Sequence, residues 1–279
     1  MNTPGTATPT IGVFDSGFGG LTVLRALIAR MPGARFVFLG DTARLPYGSK
    51  SRRTIARYAS ESARFLVQRQ QAEFLVIACN TASALALDAI QDAVPVPVLG
   101  VIAPGAEAAR AASRTRDVLV MATDATVQSH AYSAACQLQG LRAMEKACPL
   151  LVPLVEEGWT GHPVTAEVIR IYLGDLLASA KADGLTPDTV VLGCTHYPLL
   201  RPLIEKAVPP GMSVIDSAQA VAESAVRLFN GRVRPLPGEA GQPAEIRCFA
   251  TDSVEKFEQL GSRFLGCAVG QVELVDLGG

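Results

Sequence analysis

The chain has 279 residues, 49 % of them hydrophobic, and a formal net charge of −1. That length suits one large or two medium α/β domains, and the apolar share excludes a disordered chain. The balance of charge leaves no basic surplus for nucleic acid and no polybasic block for a membrane surface, and no apolar run reaches spanning length.

Met1 to Thr10 is polar, rich in Thr, Pro and Gly, and reads as a frayed tail without the pattern of a targeting sequence. Ile11 to Phe14 is a predicted strand, and Asp15-Ser16-Gly17-Phe18-Gly19-Gly20 turns from it into a helix ending at Pro32-Gly33. Arg35 to Leu39 is a second strand, closed by Gly40-Asp41-Thr42. The loop from Ala43 to Lys50 holds Pro46-Tyr47-Gly48, which is turn chemistry, yet a tyrosine at a turn tip has no packing reason to be there. Ser51 to Gln71 carries apolar residues at helical spacing. Leu75 to Ala78 is a strand, about Ala82 to Ala93 a helix, and Pro95 to Val101 a short strand. The alternation predicts a largely parallel sheet.

At Pro104-Gly105 the rhythm restarts. A helix over Ala106 to Ala112 leads to a strand over Val118 to Met121, ending in Ala122-Thr123-Asp124-Ala125-Thr126. A helix through Gln128 to Cys136, a strand over Leu150 to Val155 ending in Glu156, a helix over Val164 to Ala182 and a strand over Val190 to Gly193 follow. Pro209-Pro210-Gly211 breaks the pattern again. Ser213 to Ile215, Ile246 to Ala250 and Gln271 to Val275 read as strands, Ala218 to Phe229 and Ser253 to Leu265 as helices, and Asn230 to Pro243 as a Gly/Pro-rich loop. The expectation is two similar α/β domains, each a mostly parallel sheet flanked by helices with a cleft between them: 1–103 with 213–279, and 104–212.

Two strands end alike. Leu75-Val76-Ile77-Ala78 runs into Cys79-Asn80-Thr81, and Val190-Val191-Leu192-Gly193 runs into Cys194-Thr195-His196. Both cysteines fall at the carboxyl end of a buried strand, where open α/β sheets bind ligands. Helix amino termini there would lower the thiol pKa from about 8.5. Two thiols on opposite sides of one carbon could invert it, one removing a proton and the other returning one. Ser16, Asn80, Thr81 and Thr195 are donors of the kind a substrate carboxylate and its carbanion need.

Other readings compete. Six cysteines, none in C-x-x-C, fit a reducing compartment, and Cys136, Cys148, Cys248 and Cys267 read as small core residues. Cys194-x-His196 is poor spacing for structural zinc, and a cysteine–histidine nucleophile needs more than sequence proximity. Gly17-x-Gly19-Gly20 with Asp41 is reminiscent of a dinucleotide fingerprint, but Thr22 replaces its third glycine. Asp15 also fits an ordinary helix cap. His130 and His162 read as structural or surface residues.

Four blocks together resemble the glutamate racemases of the aspartate/glutamate racemase superfamily: Gly12 to Gly20, Asp41 to Gly48, Ala78 to Ala82 and Gly193 to Leu199. The resemblance implies a cofactor-independent isomerase, expected to be metal-free and homodimeric, that supplies D-glutamate for peptidoglycan; cysteine usage and the near-neutral charge add the expectation of a cytoplasmic protein that does not bind nucleic acid directly. The resemblance further implies Cys79 and Cys194 as proton donor and acceptor, Asp15 assisting Cys79, His196 assisting Cys194, and Glu156 as a further acidic group. Substrate contacts implied are Asp15, Ser16, Pro46, Tyr47, Gly48, Asn80, Thr81, Thr123, Thr126, Thr195 and His196. An aspartate or broad-specificity racemase, or a non-catalytic glutamate-binding module on the same fold, are the alternatives.

Overall fold

The computed structural model describes residues 9–229 and 244–278; residues 1–8 of the expected frayed tail and the expected loop at 230–243 lie outside the described residues, whereas Thr10 is not frayed but buried at the start of the first strand. The chain alternates strand and helix almost throughout. It runs β1 (Thr10–Asp15), α1 (Leu21–Arg30), β2 (Arg35–Gly40), α2 (Arg52–Arg64), β3 (Phe74–Ile77), α3 (Asn80–Ala93) and β4 (Val98–Gly100). Then come α4 (Ile102–Ala112), β5 (Asp117–Ala122), α5 (Asp124–Gln128), α6 (Ala131–Leu138), β6 (Arg142–Ala147), α7 (Leu151–Glu156), α8 (Pro163–Ala182) and β7 (Thr189–Gly193). The last part is α9 (Arg201–Ala207), β8 (Ser213–Asp216), α10 (Ser217–Leu228), β9 (Ile246–Ala250), α11 (Val254–Leu265) and β10 (Val272–Leu274).

The strands form two sheets, ordered β10-β9-β2-β1-β3-β4 and β6-β5-β7-β8, and every pairing is parallel. Strands β1, β3, β5 and β7 are buried along their whole length, as strands covered on both faces must be. Helices α2 and α3 cover one face of the first sheet over Phe14, Leu39 and Ile77. Helices α4 and α6 cover one face of the second over Val118, Val120 and Val191. The opposite faces share one buried cluster, from Val13 and Phe38 through Ala222 and Ala225 of α10 to Met121 and Leu192. Helix α10 packs on both α1 and α4 and so cements the two halves. No helix among the described residues is long and apolar enough to cross a membrane.

Each sheet has one point where the strand order reverses. In the first, the chain moves from β1 outward to β2, then back past β1 to β3; in the second it does the same with β5, β6 and β7. The crevice between the two central strands is where such sheets bind ligands. Asp15 closes β1 and Cys79 follows β3; Thr123 follows β5 and Cys194 follows β7.

Several expectations are corrected. Leu150 to Val155 is not a strand: α7 occupies it, with Leu151 and Val155 buried four apart on one face. Pro153 is tolerated because the first-turn amides of a helix have no intrahelical acceptor. The strand beside β5 is instead β6, which lies at the sheet edge and is at most half-buried, so it carries no apolar run. Pro104-Gly105 is not a break but lies in the first turns of α4. The helix through Gln128 to Cys136 is split in two, α5 and α6, by a turn at His130 with φ +55°. The long helix of Ser51 to Gln71 is capped by Ser51 and widens into a π turn over Phe65–Arg69. The boundary at 213 is also displaced. Strand β8 pairs with β7, Val214 beside Val190, so the second sheet extends to Asp216. Pro209-Pro210-Gly211 is only the turn that brings α9 back to β8, closed by Met212 N–H donating to the Pro209 carbonyl at 3.1 Å.

Candidate active site

Cys79 and Cys194 are 5 % and 6 % exposed, so both sulfurs are withdrawn from water. Around Cys79 the chain has placed a carboxylate and a hydroxyl. The Cys79 thiol donates to Ser16 Oγ at 3.3 Å, and its sulfur accepts the Ala82 N–H at 3.4 Å as the cap of α3. Asp15 is 1 % exposed. Its Oδ2 accepts the Gly17 N–H at 2.9 Å, while Oδ1 is buried with no hydrogen-bond partner. It is not the cap of α1, which is Gly20.

The thiol is not acidified, contrary to the expectation from helix position. Burial pushes the Cys79 pKa up, the Asp15 charge adds to the rise, and the bonds from Ser16 and Ala82 offset too little of it, leaving about 12. Burial raises the Asp15 carboxyl as well, against the opposing charge of His196. A direct test follows. Asp15→Asn removes a negative charge that opposes the thiolate, so Cys79 should titrate below about 12, with about tenfold more thiolate at a fixed alkaline pH. The difference in thiolate absorbance between each protein and its Cys79→Ser counterpart reads this. An unchanged or higher midpoint would show that Asp15 does not act on the sulfur.

Around Cys194 the partners are of the opposite sign. Its sulfur lies 3.9 Å from His196 Nδ1, and His196 Nε2 lies 3.3 Å from Glu156 Oε1. Burial alone would push the imidazole down, but its bonds to Cys194 and Glu156 override this and lift it to about 10. Burial works against the Glu156 charge, yet His196 and Lys256, whose Nζ is 3.6 Å from Oε2, hold its carboxyl below the usual range. The second sulfur thus sits beside a histidine and the first beside an aspartic acid. Helix α9 is separated from Cys194 by a single tighter turn over Tyr197–Leu200, so no α-helix begins at this sulfur.

The two clusters meet. Asp15 and His196 feel each other's charge. Phe18 lies 6.2 Å from the His196 ring, and Thr22 Oγ1 donates to the Gly19 carbonyl at 3.0 Å and the Thr195 carbonyl at 3.3 Å. The Gly17-Phe18-Gly19-Gly20 turn therefore serves close approach of the two halves. On the other side, Thr81 Oγ1 bonds Thr123 Oγ1 at 3.0 Å and Thr126 Oγ1 at 3.3 Å, and the latter two are 2.8 Å apart. Gly48 faces Thr123. Tyr47 is 1 % exposed and does have a packing reason: its ring lies 6.2 Å from Phe14 and 6.3 Å from Tyr58. Its hydroxyl donates to Asp41, which also takes Arg44 and Thr251, so Asp41 anchors this loop. Pro46 is exposed, its carbonyl taken by Ser49 at 3.3 Å and Lys50 at 3.4 Å.

Asn80 and Thr81 open α3, and Asn80 Nδ2 is buried without a partner. His130 and His162 lie away from these clusters, His130 beside Glu145 at 3.9 Å and His162 capping α8. Among the described residues no three His, Cys, Asp or Glu side chains gather as metal ligands would. Sequence reasoning missed Thr22 and Lys256; neither belongs to a motif, and only the approach of the two halves brings them in.

Two all-parallel α/β halves, each with a buried cysteine at its reversal point, define a two-domain class of α/β enzyme. The chain belongs to the Asp/Glu/Hydantoin racemase family, whose model matches residues 21–225. A glutamate racemase of Koribacter versatilis is 52 % identical, covering 97 % of this chain and 98 % of its own. A crystal structure of a glutamate racemase isoform from Bacillus anthracis has TM-score 0.87 and 34 % identity, covering 98 % of each chain. One from Francisella tularensis in complex with D-glutamate has TM-score 0.84 and 32 % identity, covering 97 % of this chain and 98 % of its own.

Proposed function

We propose that the protein interconverts L- and D-glutamate by a two-base reaction between Cys79 and Cys194. The observation that carries this reading is the pairing of buried thiols at matched strand ends, one beside Asp15 and Ser16, the other beside His196 and Glu156. One sulfur, as thiolate, takes the Cα proton. The other, as thiol, delivers a proton to the opposite face, so the carbon inverts and the pair is left in the complementary protonation state. Burial and the Asp15 charge hold Cys79 near 12, so its proton must be drawn off before the sulfur can act as a base. The substrate ammonium favours the thiolate, and the buried Asp15 is a suitable acceptor. On the other side the imidazolium stands ready to donate towards Cys194. Positioned transfer of this kind contributes roughly 10²–10⁴-fold, and the carbanion needs fixed donors near the carboxylate, for which Ser16, Asn80, Thr81 and Thr195 are candidates. Thr123 and Thr126 bond Thr81, with Gly48 against Thr123, and these, with Tyr47 and Pro46, complete the proposed substrate contacts.

With this reading go a supply of D-glutamate to peptidoglycan, a cytoplasmic location and a homodimeric assembly. The test is Cα deuterium uptake from solvent, started separately from pure L- and pure D-glutamate without added cofactor. The product enantiomer should carry deuterium from the first turnover in both directions. Glutamate that binds saturably but neither exchanges nor inverts would leave a binding module, and inversion of aspartate in preference to glutamate would reassign the substrate.

A further inference from the structure

Tyr132 belongs to α6 and is fully buried. Its ring is slotted between two glycines. A Cβ at Gly193, the last residue of β7, would come within 2.9 Å of Cε2, and one at Gly105 of α4 within 3.3 Å of Cε1. No other residue type fits at Gly193 without moving the ring. From this slot the phenol crosses to the other half of the molecule and donates to Asn80 Oδ1 at 2.7 Å. An amide oxygen can only accept, so the phenol proton is the one shared with Asn80.

Asn80 directly follows Cys79 and is 3 % exposed. Its carbonyl oxygen is taken by Tyr132, while Nδ2 is buried with no hydrogen-bond partner. Buried amides are nearly always paired, so an orphaned donor beside a reactive thiol points to an absent acceptor. An amide is free to flip unless one end is tied, and Tyr132 ties the oxygen end.

We propose that Tyr132 is a positioning residue for the racemase reaction: it locks the Asn80 amide with its donor side turned to a carboxylate oxygen of the amino-acid substrate. The inference rests on the glutamate racemase reading above. It gives the close packing at Gly193 a purpose, because the same ring bears on the strand end that carries Cys194 and on the residue after Cys79. A ring that merely filled the core would need no partner on the far half.

Tyr132→Phe keeps the ring in its slot and removes only the hydroxyl. The KM of both enantiomers should rise about tenfold, the size expected for one misaligned bond to a charged group, with a smaller fall in kcat and no bias between directions. The decisive measurement is the double-mutant cycle with Asn80→Ala. Once the amide is gone, adding Tyr132→Phe should change kcat/KM less than twofold. An equal loss in both backgrounds, or an unchanged KM in Tyr132→Phe, overturns the proposal, because a purely structural contact would act regardless of Asn80. Calorimetric titration of glutamate into the same four proteins gives a second reading where turnover is too slow. Failure of the racemase reading itself would appear separately, as a parent protein that inverts nothing.

Discussion

Replacing Cys79 or Cys194 by alanine is expected to lower glutamate racemisation by about 10³-fold, because in the proposed two-base reaction either change removes one of the two groups that carry the proton. The loss should fall on kcat, since neither sulfur is needed to hold the substrate's charged ends. The changes differ structurally. Cys79→Ala also deletes the acceptor of the Ala82 N–H at the start of α3, a capping loss of about 1 kcal/mol that a domain of ordinary stability survives. Cys79→Ser retains an acceptor there and separates the two effects. In each serine variant one thiol remains, so deuterium exchange from the two enantiomers should be lost unequally, with opposite preference in the two variants. Circular dichroism of glutamate solutions and proton NMR of the Cα signal read both outcomes. Near-parental turnover in either alanine variant would refute the two-base reading.

What the sequence makes legible and what it hides follow from the range of the forces involved. Strands β1, β3, β5 and β7 lie in the middle of their sheets, are covered on both faces and so appear as unbroken apolar runs. Both cysteine turns could be placed from those runs alone. Strand β6 escapes notice because an edge strand spells Arg142-Ala143-Met144-Glu145-Lys146-Ala147, with nothing to distinguish it from a surface segment. The apolar run at Leu151–Glu156 is as short as a strand and fits either structure until its neighbours are known. The assignment of β8 to the second sheet depends on a pairing with β7 that no local signal specifies. The places of both cysteines after their strands are readable, but the acidity of Cys79 is not. A helix amino terminus is a local feature, whereas the desolvation that lifts Cys79 to about 12 arises from everything packed around it. Tyr47 is the converse case: a turn residue by sequence, it is buried between Phe14 and Tyr58 because Asp41 draws its hydroxyl inward.

Gly19→Ala should cost about 10²-fold in kcat/KM while leaving the unfolding temperature within a few degrees, the loss typical of a reacting group displaced by about 1 Å. The reason is contact alone. Gly19 does not have the positive φ that excludes other residues, so the backbone accepts alanine. The added Cβ would instead stand 2.4 Å from Thr195 Oγ1, 2.6 Å from His196 Nδ1 and 2.8 Å from His196 Cε1. Those atoms have little room to retreat. His196 is held by Glu156 at 3.3 Å and backed by Phe264 at 5.0 Å between ring centroids, and the Thr195 carbonyl is tied to Thr22 at 3.3 Å. The two halves must therefore separate or the imidazole must turn away from Cys194. In the proposed reaction either displacement spoils proton delivery on that side while leaving both sheets intact. Gly174→Ala, in the exposed part of α8 with nothing within 4 Å of the new Cβ, is the control and should leave turnover as it is. Parental kcat/KM in Gly19→Ala would mean that the two halves do not approach this closely when they work, and the site drawn from their contact would have to be opened.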